Sequence, residues 1–135
     1  DSWHHTLDAH DAVVRDQLAT YQGREIKHLG DGMLSVFESP SRAIDCAGVI
    51  LDRVHDLGLR ARAGIHTGEV EWRGTDVMGL AVHIAARVIA LARPDEILVS
   101  SVVPTLVAGS PRHFVGRGEH ELRGIPGTWE LHAVA

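Results

Sequence analysis

A Gly-Asp-Gly sequence at positions 30–32 separates two short segments that are rich in apolar residues. Gly30 and Gly32 can adopt the positive φ values of a tight turn, and Asp31 tolerates them. The segments 25–29 and 33–37 are therefore predicted to form a β-hairpin with a carboxylate at its tip. Such a carboxylate either stabilises the turn or binds a hard cation, and the segment by itself favours the turn.

Composition excludes several classes of protein. The chain has 135 residues, 44% of them hydrophobic and 23% charged, so one domain with one core is expected over residues 1–135. The net charge of −5 and the lack of a basic run argue against a nucleic-acid partner. No apolar run has the length of a membrane span, so no membrane contact is expected from this segment. The single cysteine, Cys46, fits a reducing compartment and thus a cytoplasmic location.

Apolar periodicity predicts three main helices. The first covers about residues 2–19 and places Trp3, Leu7, Val14 and Leu18 near one face. The second begins at Ser39-Pro40, with Ser as the cap and Pro in the first turn, and ends at Gly58. Its buried stripe includes Ala43, Ile44, Ala47, Ile50, Leu51 and Val54, with Cys46 packed beside it. The third covers about residues 79–92.

The remaining segments predict short strands and turns. Strands are expected near 61–65 and 70–72, and a short helix near 102–107. Residues 95–99 are predicted to form a turn that leads into a strand, and residues 114–115 to be part of a strand. A hairpin is expected over 119–134, with its turn at 124–127. Alternating helices and strands predict an α/β or α+β sandwich.

Four separated segments resemble the catalytic domain of the class III nucleotide cyclases, and in particular its bacterial, actinobacterial-type adenylyl cyclases. They are residues 27–31, 64–69, 76–87 and 117–124, in matching order and spacing. The resemblance covers nearly the whole chain. It implies an α+β fold of the ferredoxin-like, βαββαβ type, with a mixed, largely antiparallel sheet flanked by helices. It also implies conversion of ATP to 3′,5′-cyclic AMP and pyrophosphate, by attack of the ribose 3′-oxygen on the α-phosphorus.

The resemblance assigns three residues to metal and base binding. Asp31 matches one of the family's two metal-binding aspartates, which hold Mg²⁺ or Mn²⁺. Lys27 and Asp76 match the pair that reads adenine, because a Lys donor suits the acceptor N1 and an Asp acceptor suits the exocyclic amino group. Without the resemblance, Lys27 would be a surface residue of a strand and Asp76 a loop residue that caps a helix.

Three further residues match positions that handle the phosphates and ribose. His83 and Arg87 lie four residues apart on the third helix and share a face. Arg87 matches the arginine that stabilises phosphate charge in the transition state, a role that suits a guanidinium fork. His83 stands where Asn is commonest in the family, and its ring can donate to the ribose or a phosphate. Arg123 matches a basic residue, usually Lys, that contacts the terminal phosphates. A solvated hairpin Arg is the alternative.

The family's first strand, with the second metal aspartate, has no counterpart in the sequence, so we expect the natural protein to extend before Asp1. The resemblance further implies a head-to-tail homodimer in which Lys27, Asp76, His83, Arg87 and Arg123 line a pocket that Asp31 of the other subunit completes. The leading prediction is thus an adenylyl cyclase.

Other functions remain open at this point. The closest alternative is a cyclase-like module that binds nucleotide or a partner without turnover, which the missing strand and His83 favour. An unrelated ferredoxin-like binding domain would bind no nucleotide. A polymerase-like palm domain is disfavoured by the low basic content.

Overall fold

The computed structural model describes residues 2–29 and 32–135. The chain divides into two compact units, Asp1–Ala61 and Arg62–Ala135, each with its own cluster of buried apolar side chains. The prediction of a single domain over residues 1–135 stays a prediction.

The first unit contains two helices and a pair of strands. Helix α1 covers Ser2–Thr20, strand β1 Arg24–Leu29, strand β2 Gly32–Val36 and helix α2 Pro40–Asp56. Strands β1 and β2 pair antiparallel, with Lys27 opposite Leu34 and an irregularity between Glu25 and Lys27. The predicted pair of strands is therefore confirmed, while Gly30 and Asp31 lie outside the described residues.

Helix α2 begins where local sequence chemistry predicts. Ser39 has an extended backbone and its Oγ accepts a hydrogen bond from the Arg42 N–H at 3.4 Å, while Pro40 occupies the first turn. Cys46 is buried in a cluster with Val14 and Leu18 of α1, as its position beside the apolar stripe predicts. On the predicted apolar face of α1, Val14 and Leu18 are buried, whereas Trp3 is 58% and Leu7 39% exposed.

The second unit is built on a four-stranded mixed sheet. Its strands are β3 (Ala63–Ile65), β6 (Ile97–Ser100), β8 (Thr128–Val134) and β7 (Phe114–Glu121), in that spatial order. Strands β3 and β6 are parallel, whereas β6 with β8 and β8 with β7 are antiparallel. A separate hairpin pairs β4 (Glu71–Arg73) with β5 (Asp76–Met78), and the helices are α3 (Leu80–Leu91) and α4 (Val102–Leu106). The predicted α+β fold with a mixed, largely antiparallel sheet is confirmed.

Two boundaries differ from the sequence-based expectations. The strand expected near 114–115 and the first arm of the hairpin expected over 119–134 are one continuous strand, β7. Its pairing with β8 slips between Gly116 and Glu119, where Gly118 has a φ of +81°, so the strand continues through an irregularity of register. Asp76 begins a strand instead of lying in a loop.

Helix α3 packs on one face of this sheet. Its Ile84 and Val88 are buried against Leu98 of β6 and Leu131 of β8, together with Leu122 from the connection that follows β7. Each such side chain contributes about 1.5–3 kcal/mol when removed from water. This cluster is the core beneath His83 and Arg87 of α3.

Candidate active site

The β4–β5 hairpin places Asp76 just before helix α3. The Asp76 carboxylate is half-buried, and its Oδ1 accepts a hydrogen bond from the Val77 N–H at 2.8 Å. Gly79 then turns the chain into α3 with a φ of +130°, a backbone conformation that side chains rarely allow. The N-cap residue of α3 is Gly79 and not Asp76.

Helix α3 carries His83 and Arg87 one turn apart. His83 is exposed and Arg87 half-buried, while the neighbouring Ile84 and Val88 are buried in the core of the second unit. The apolar side of the helix thus turns these two polar side chains toward the surface. The predicted sharing of a face by His83 and Arg87 agrees with the helical spacing.

Arg87 and Arg123 are brought together by a hydrogen bond that the sequence does not predict. The Arg87 Nε–H donates to the backbone carbonyl of Arg123 at 3.0 Å. Within residues 2–29 and 32–135, that carbonyl is the only hydrogen-bonding partner of the Arg87 side chain. The contact orients the guanidinium through Nε, and its two terminal nitrogens keep their donors for a ligand.

Arg123 lies in the connection between β7 and β8, which we call the Arg123 loop (residues 122–127). Its side chain is exposed beside an open concavity at this end of the hairpin. The loop is held by an Ile125 N–H to Leu122 carbonyl bond of 2.9 Å, and its Gly124 and Gly127 have φ values of +79° and +87°. The Trp129 indole N–H also donates to the Pro126 carbonyl at 3.1 Å.

Two glycines allow β3 and the segment after it to approach α3 closely. A Cβ at Gly64 would lie 2.5 Å from the Ile89 nitrogen and 2.7 Å from its Cα. A Cβ at Gly68 would lie 2.9 Å from the Cβ of Ala81. Since real Cβ atoms essentially never approach that closely, only glycine fits either position without a shift of the helix. The predicted segment 64–69 therefore sets where α3 lies.

His66, which directly follows β3, contacts strands β6 and β8. Its Nδ1 and the buried Ser100 Oγ share a hydrogen bond of 2.6 Å, and its ring meets the Trp129 ring edge-on at 5.9 Å and 80°. Burial lowers the pKa of His66 below its usual value, so the imidazole is neutral at pH 7. Sequence reasoning included His66 in a matching segment but assigned it no role, because nothing local links it to Ser100 and Trp129.

A second contact missed by the sequence analysis is the ion pair of Arg117 and Glu96. Arg117 donates to both Glu96 oxygens, at 2.9 and 3.2 Å, and its Nη2 also donates to the Leu91 carbonyl at the end of α3, at 3.3 Å. The two side chains are 15% and 13% exposed. The Arg117 hydrogen bond is the main cause that lowers the pKa of Glu96, and a bond from the Arg93 N–H adds to it. The pair ties β7 to the end of α3.

Two predicted site residues, Lys27 and Asp31, do not belong to the second unit. Lys27 is exposed on β1 of the first unit, and Asp31 lies outside the described residues. Lys27 and Asp76 belong to different units, so their joint reading of a base stays a prediction. In the described part of the chain, no three His, Cys, Asp or Glu side chains form a possible metal site.

Known proteins resemble the chain in sequence. No family model matches it. "Putative adenylate cyclase 3" of Rhizobium meliloti (strain 1021) is 31% identical over 122 residues, which are 84% of this chain and 21% of that protein. The chain spans 21% to 44% of the length of the first curated relatives that it matches.

Solved structures resemble the chain in fold. An adenylate/guanylate cyclase/hydrolase from Silicibacter pomeroyi matches with a TM-score of 0.82 and 25% identity, over 90% of this chain and 78% of the other. An adenylate cyclase from Trypanosoma brucei, solved in its monomeric state, matches with a TM-score of 0.89 and 19% identity, over 99% and 79%. In the described part of the chain, no helix has the length and apolar character needed to cross a membrane. In fold and in sequence, the chain thus resembles the catalytic domains of the class III adenylyl and guanylyl cyclases.

Proposed function

We propose that this chain is an adenylyl cyclase catalytic domain that converts ATP to 3′,5′-cyclic AMP and pyrophosphate. The ribose 3′-oxygen attacks the α-phosphorus, its proton is removed, and the bond from the α-phosphorus to the bridging oxygen breaks to release pyrophosphate. The observation that carries the proposal is the Arg87–Arg123 contact, which orients a guanidinium fork on the outer side of α3.

Arg87 is suited to phosphate because of how it is held. Its Nε–H is engaged by the Arg123 carbonyl, so rotation of the guanidinium is restricted before any ligand arrives. A preoriented fork stabilises charge that develops on phosphate oxygens without losing side-chain freedom at that moment. The Arg123 side chain, exposed on the same loop, would add charge for the terminal phosphates.

His83 and Asp76 supply the neighbouring contacts. His83 lies one turn before Arg87 and is exposed, so its ring can donate to the ribose or to a phosphate. Asp76, oriented by the Val77 N–H, would accept from the exocyclic amino group of adenine, while Lys27 would donate to N1. The preference for ATP over GTP follows from that donor and acceptor pattern, and the name of the Rhizobium relative agrees with it.

The complete site would form across a homodimer. Lys27, Asp76, His83, Arg87 and Arg123 would come from one subunit and Asp31 from the other, with Mg²⁺ or Mn²⁺ as the metal that class III cyclases in general use. We place this activity in the cytoplasm, where ATP is plentiful, with no nucleic acid as partner.

The test is a cyclisation assay with ATP and with GTP, in Mn²⁺ and in Mg²⁺, over a range of protein concentrations. We expect cyclic AMP in preference to cyclic GMP, at a rate that rises faster than linearly with protein concentration because a dimer forms. Arg87→Ala should lower kcat by about 10²-fold or more. Arg53→Ala is the matched control, since Arg53 is an exposed arginine of helix α2.

A separate double variant tests the selectivity between ATP and GTP. Lys27→Glu with Asp76→Ser replaces the donor by an acceptor and the acceptor by a donor, which suits guanine N1–H and O6. The double variant should shift preference toward GTP. An unchanged preference for ATP would refute the base-reading roles without touching the assignment of Arg87.

The alternative is a cyclase-like module that binds nucleotide without turnover. His83, which stands where the family most often has Asn, is the observation that favours it. A folded protein that binds ATP, loses that binding with Arg87→Ala and forms no cyclic nucleotide would establish this alternative.

A further inference from the structure

We infer that Trp129 and His66 are positioning residues, which hold the Arg123 loop so that its carbonyl meets Arg87. The inference rests on the proposed function of Arg87 and adds two residues to which the sequence pattern assigns no role. It follows from a continuous chain of contacts through the second unit.

The first contact is between Trp129 and the loop. The indole N–H donates to the Pro126 carbonyl at 3.1 Å, and the ring packs, together with Ile125, against the core cluster of Ile84, Val88, Leu98, Leu122 and Leu131. Trp129 thus lies between the loop and the core that carries α3. Since Ile84 and Val88 flank Arg87, the same core locates both partners of the Arg87–Arg123 bond.

The second contact is between Trp129 and His66. The edge-on ring pair restricts rotation of the indole, because a large aromatic ring prefers this arrangement over a parallel sandwich. The imidazole is in turn held by its hydrogen bond to the buried Ser100 hydroxyl. Without this support the indole could turn its N–H away from the Pro126 carbonyl.

Loss of this support should weaken stabilisation of the transition state more than the binding of ATP. Arg87 is held at Nε by a carbonyl of the loop, and a loop that moves by about 1 Å breaks a hydrogen bond of this length. Misplacement of that order in groups that act on the reacting centre costs rate up to about 10²-fold. A looser loop should therefore reduce kcat more than it raises KM.

The critical variant is Trp129→Phe, which keeps an aromatic ring in the core and removes the donor to Pro126. We expect kcat for ATP to fall by about tenfold and KM to stay within about twofold. His66→Leu, which keeps bulk and removes the ring edge and the bond to Ser100, should act in the same direction. Trp3→Phe is the matched control, because Trp3 is 58% exposed on α1 in the other unit.

A second measurement is independent of turnover. The Ile125 N–H donates to the Leu122 carbonyl inside the loop, so its hydrogen exchange reports loop opening. Exchange at Ile125 should become faster in Trp129→Phe and stay unchanged in Trp3→Phe. Global stability, measured in parallel by urea unfolding, separates loop opening from unfolding of the whole unit.

The outcomes test the positioning role of Trp129 and the proposed cyclase function separately. A folded Trp129→Phe protein with wild-type kcat and wild-type exchange at Ile125 overturns the inference. If the wild-type protein makes no cyclic nucleotide, the proposed function fails, and faster exchange at Ile125 in Trp129→Phe with unchanged binding of a non-hydrolysable ATP analogue still supports the positioning role. Unchanged exchange in that case overturns the role as well.

Discussion

Gly64→Ala tests how helix α3 is located. The added Cβ would meet the Ile89 nitrogen at 2.5 Å and its Cα at 2.7 Å, whereas unstrained contacts are about 3.5–4.0 Å. The obstacle is helix backbone, which cannot rotate away as a side chain can. Strand β3 or helix α3 must therefore move by about 1 Å, and a shift of α3 carries Arg87 with it.

Two effects of this substitution oppose each other. Overpacking costs about 1–3 kcal/mol, and the upper end applies because the contact is with backbone. Alanine also lowers the conformational entropy of the unfolded chain, which raises the unfolding free energy by about 0.4–1 kcal/mol. The net loss is about 2 kcal/mol of unfolding free energy, so Tm should fall by about 5–10 °C for a chain of this size.

The assay is thermal and urea unfolding followed by circular dichroism. Gly116→Ala is the matched control, because Gly116 lies in the same unit and a Cβ there meets nothing within 4 Å. We expect Gly116→Ala to be as stable as the wild type or slightly more so. If Gly64→Ala unfolds at the same urea concentration as Gly116→Ala, the close approach of β3 to α3 is wrong.

Three further predictions follow from other parts of the chain. Gly48 lies within α2, and a Cβ there meets nothing within 4 Å. Gly48→Ala should therefore raise the unfolding free energy, measured in urea, by about 0.5–1 kcal/mol. A lower unfolding free energy would contradict the open space around Gly48. Glu96→Gln should cost about 2 kcal/mol at pH 7, because Arg117 loses a charged partner. The pKa of Glu96 is lowered in the fold, so its contribution is present above the unfolded value of about 4.5 and is lost as pH falls through the lowered pKa. Wild-type stability should therefore decline below pH 4.5 more than that of Glu96→Gln, and parallel pH profiles would refute the pair. Burial raises the pKa of the Cys46 thiol to about 11, so a thiol reagent at pH 8 should label the native protein slowly and the unfolded protein fast, and equal rates would contradict the burial.

Helix α2 shows how much local sequence can predict. Its start depends on Ser39 and Pro40, which act through neighbouring backbone atoms, and its buried face follows the 3.6-residue period. The same period places Trp3 and Leu7 near the apolar face of α1, and both are exposed, whereas Val14 and Leu18 are buried. Periodicity predicts which residues share a face, but not whether another element covers that face.

In the candidate site, too, sequence predicts local relations between residues but not remote contacts. His83 and Arg87 could be placed on one helix face because four residues make about one turn. The hydrogen bond from Arg87 to Arg123 spans 36 residues and involves a backbone carbonyl, so no side-chain pattern predicts it. The contacts of His66 with Ser100 and Trp129 are equally remote in sequence.

The sequence by itself determined the α+β order of elements, the capped start of α2, and the side chains that resemble a nucleotide cyclase site. These depend on periodicity, on turn and cap chemistry, and on residue types at known spacing, all of which act over a few residues. Only the tertiary structure decided that Gly64 sets the position of α3, that the Arg123 carbonyl holds Arg87, and that Glu96 pairs with Arg117. Those contacts join strands and helices that are distant in sequence, and their energies exist only once the core has brought the elements together.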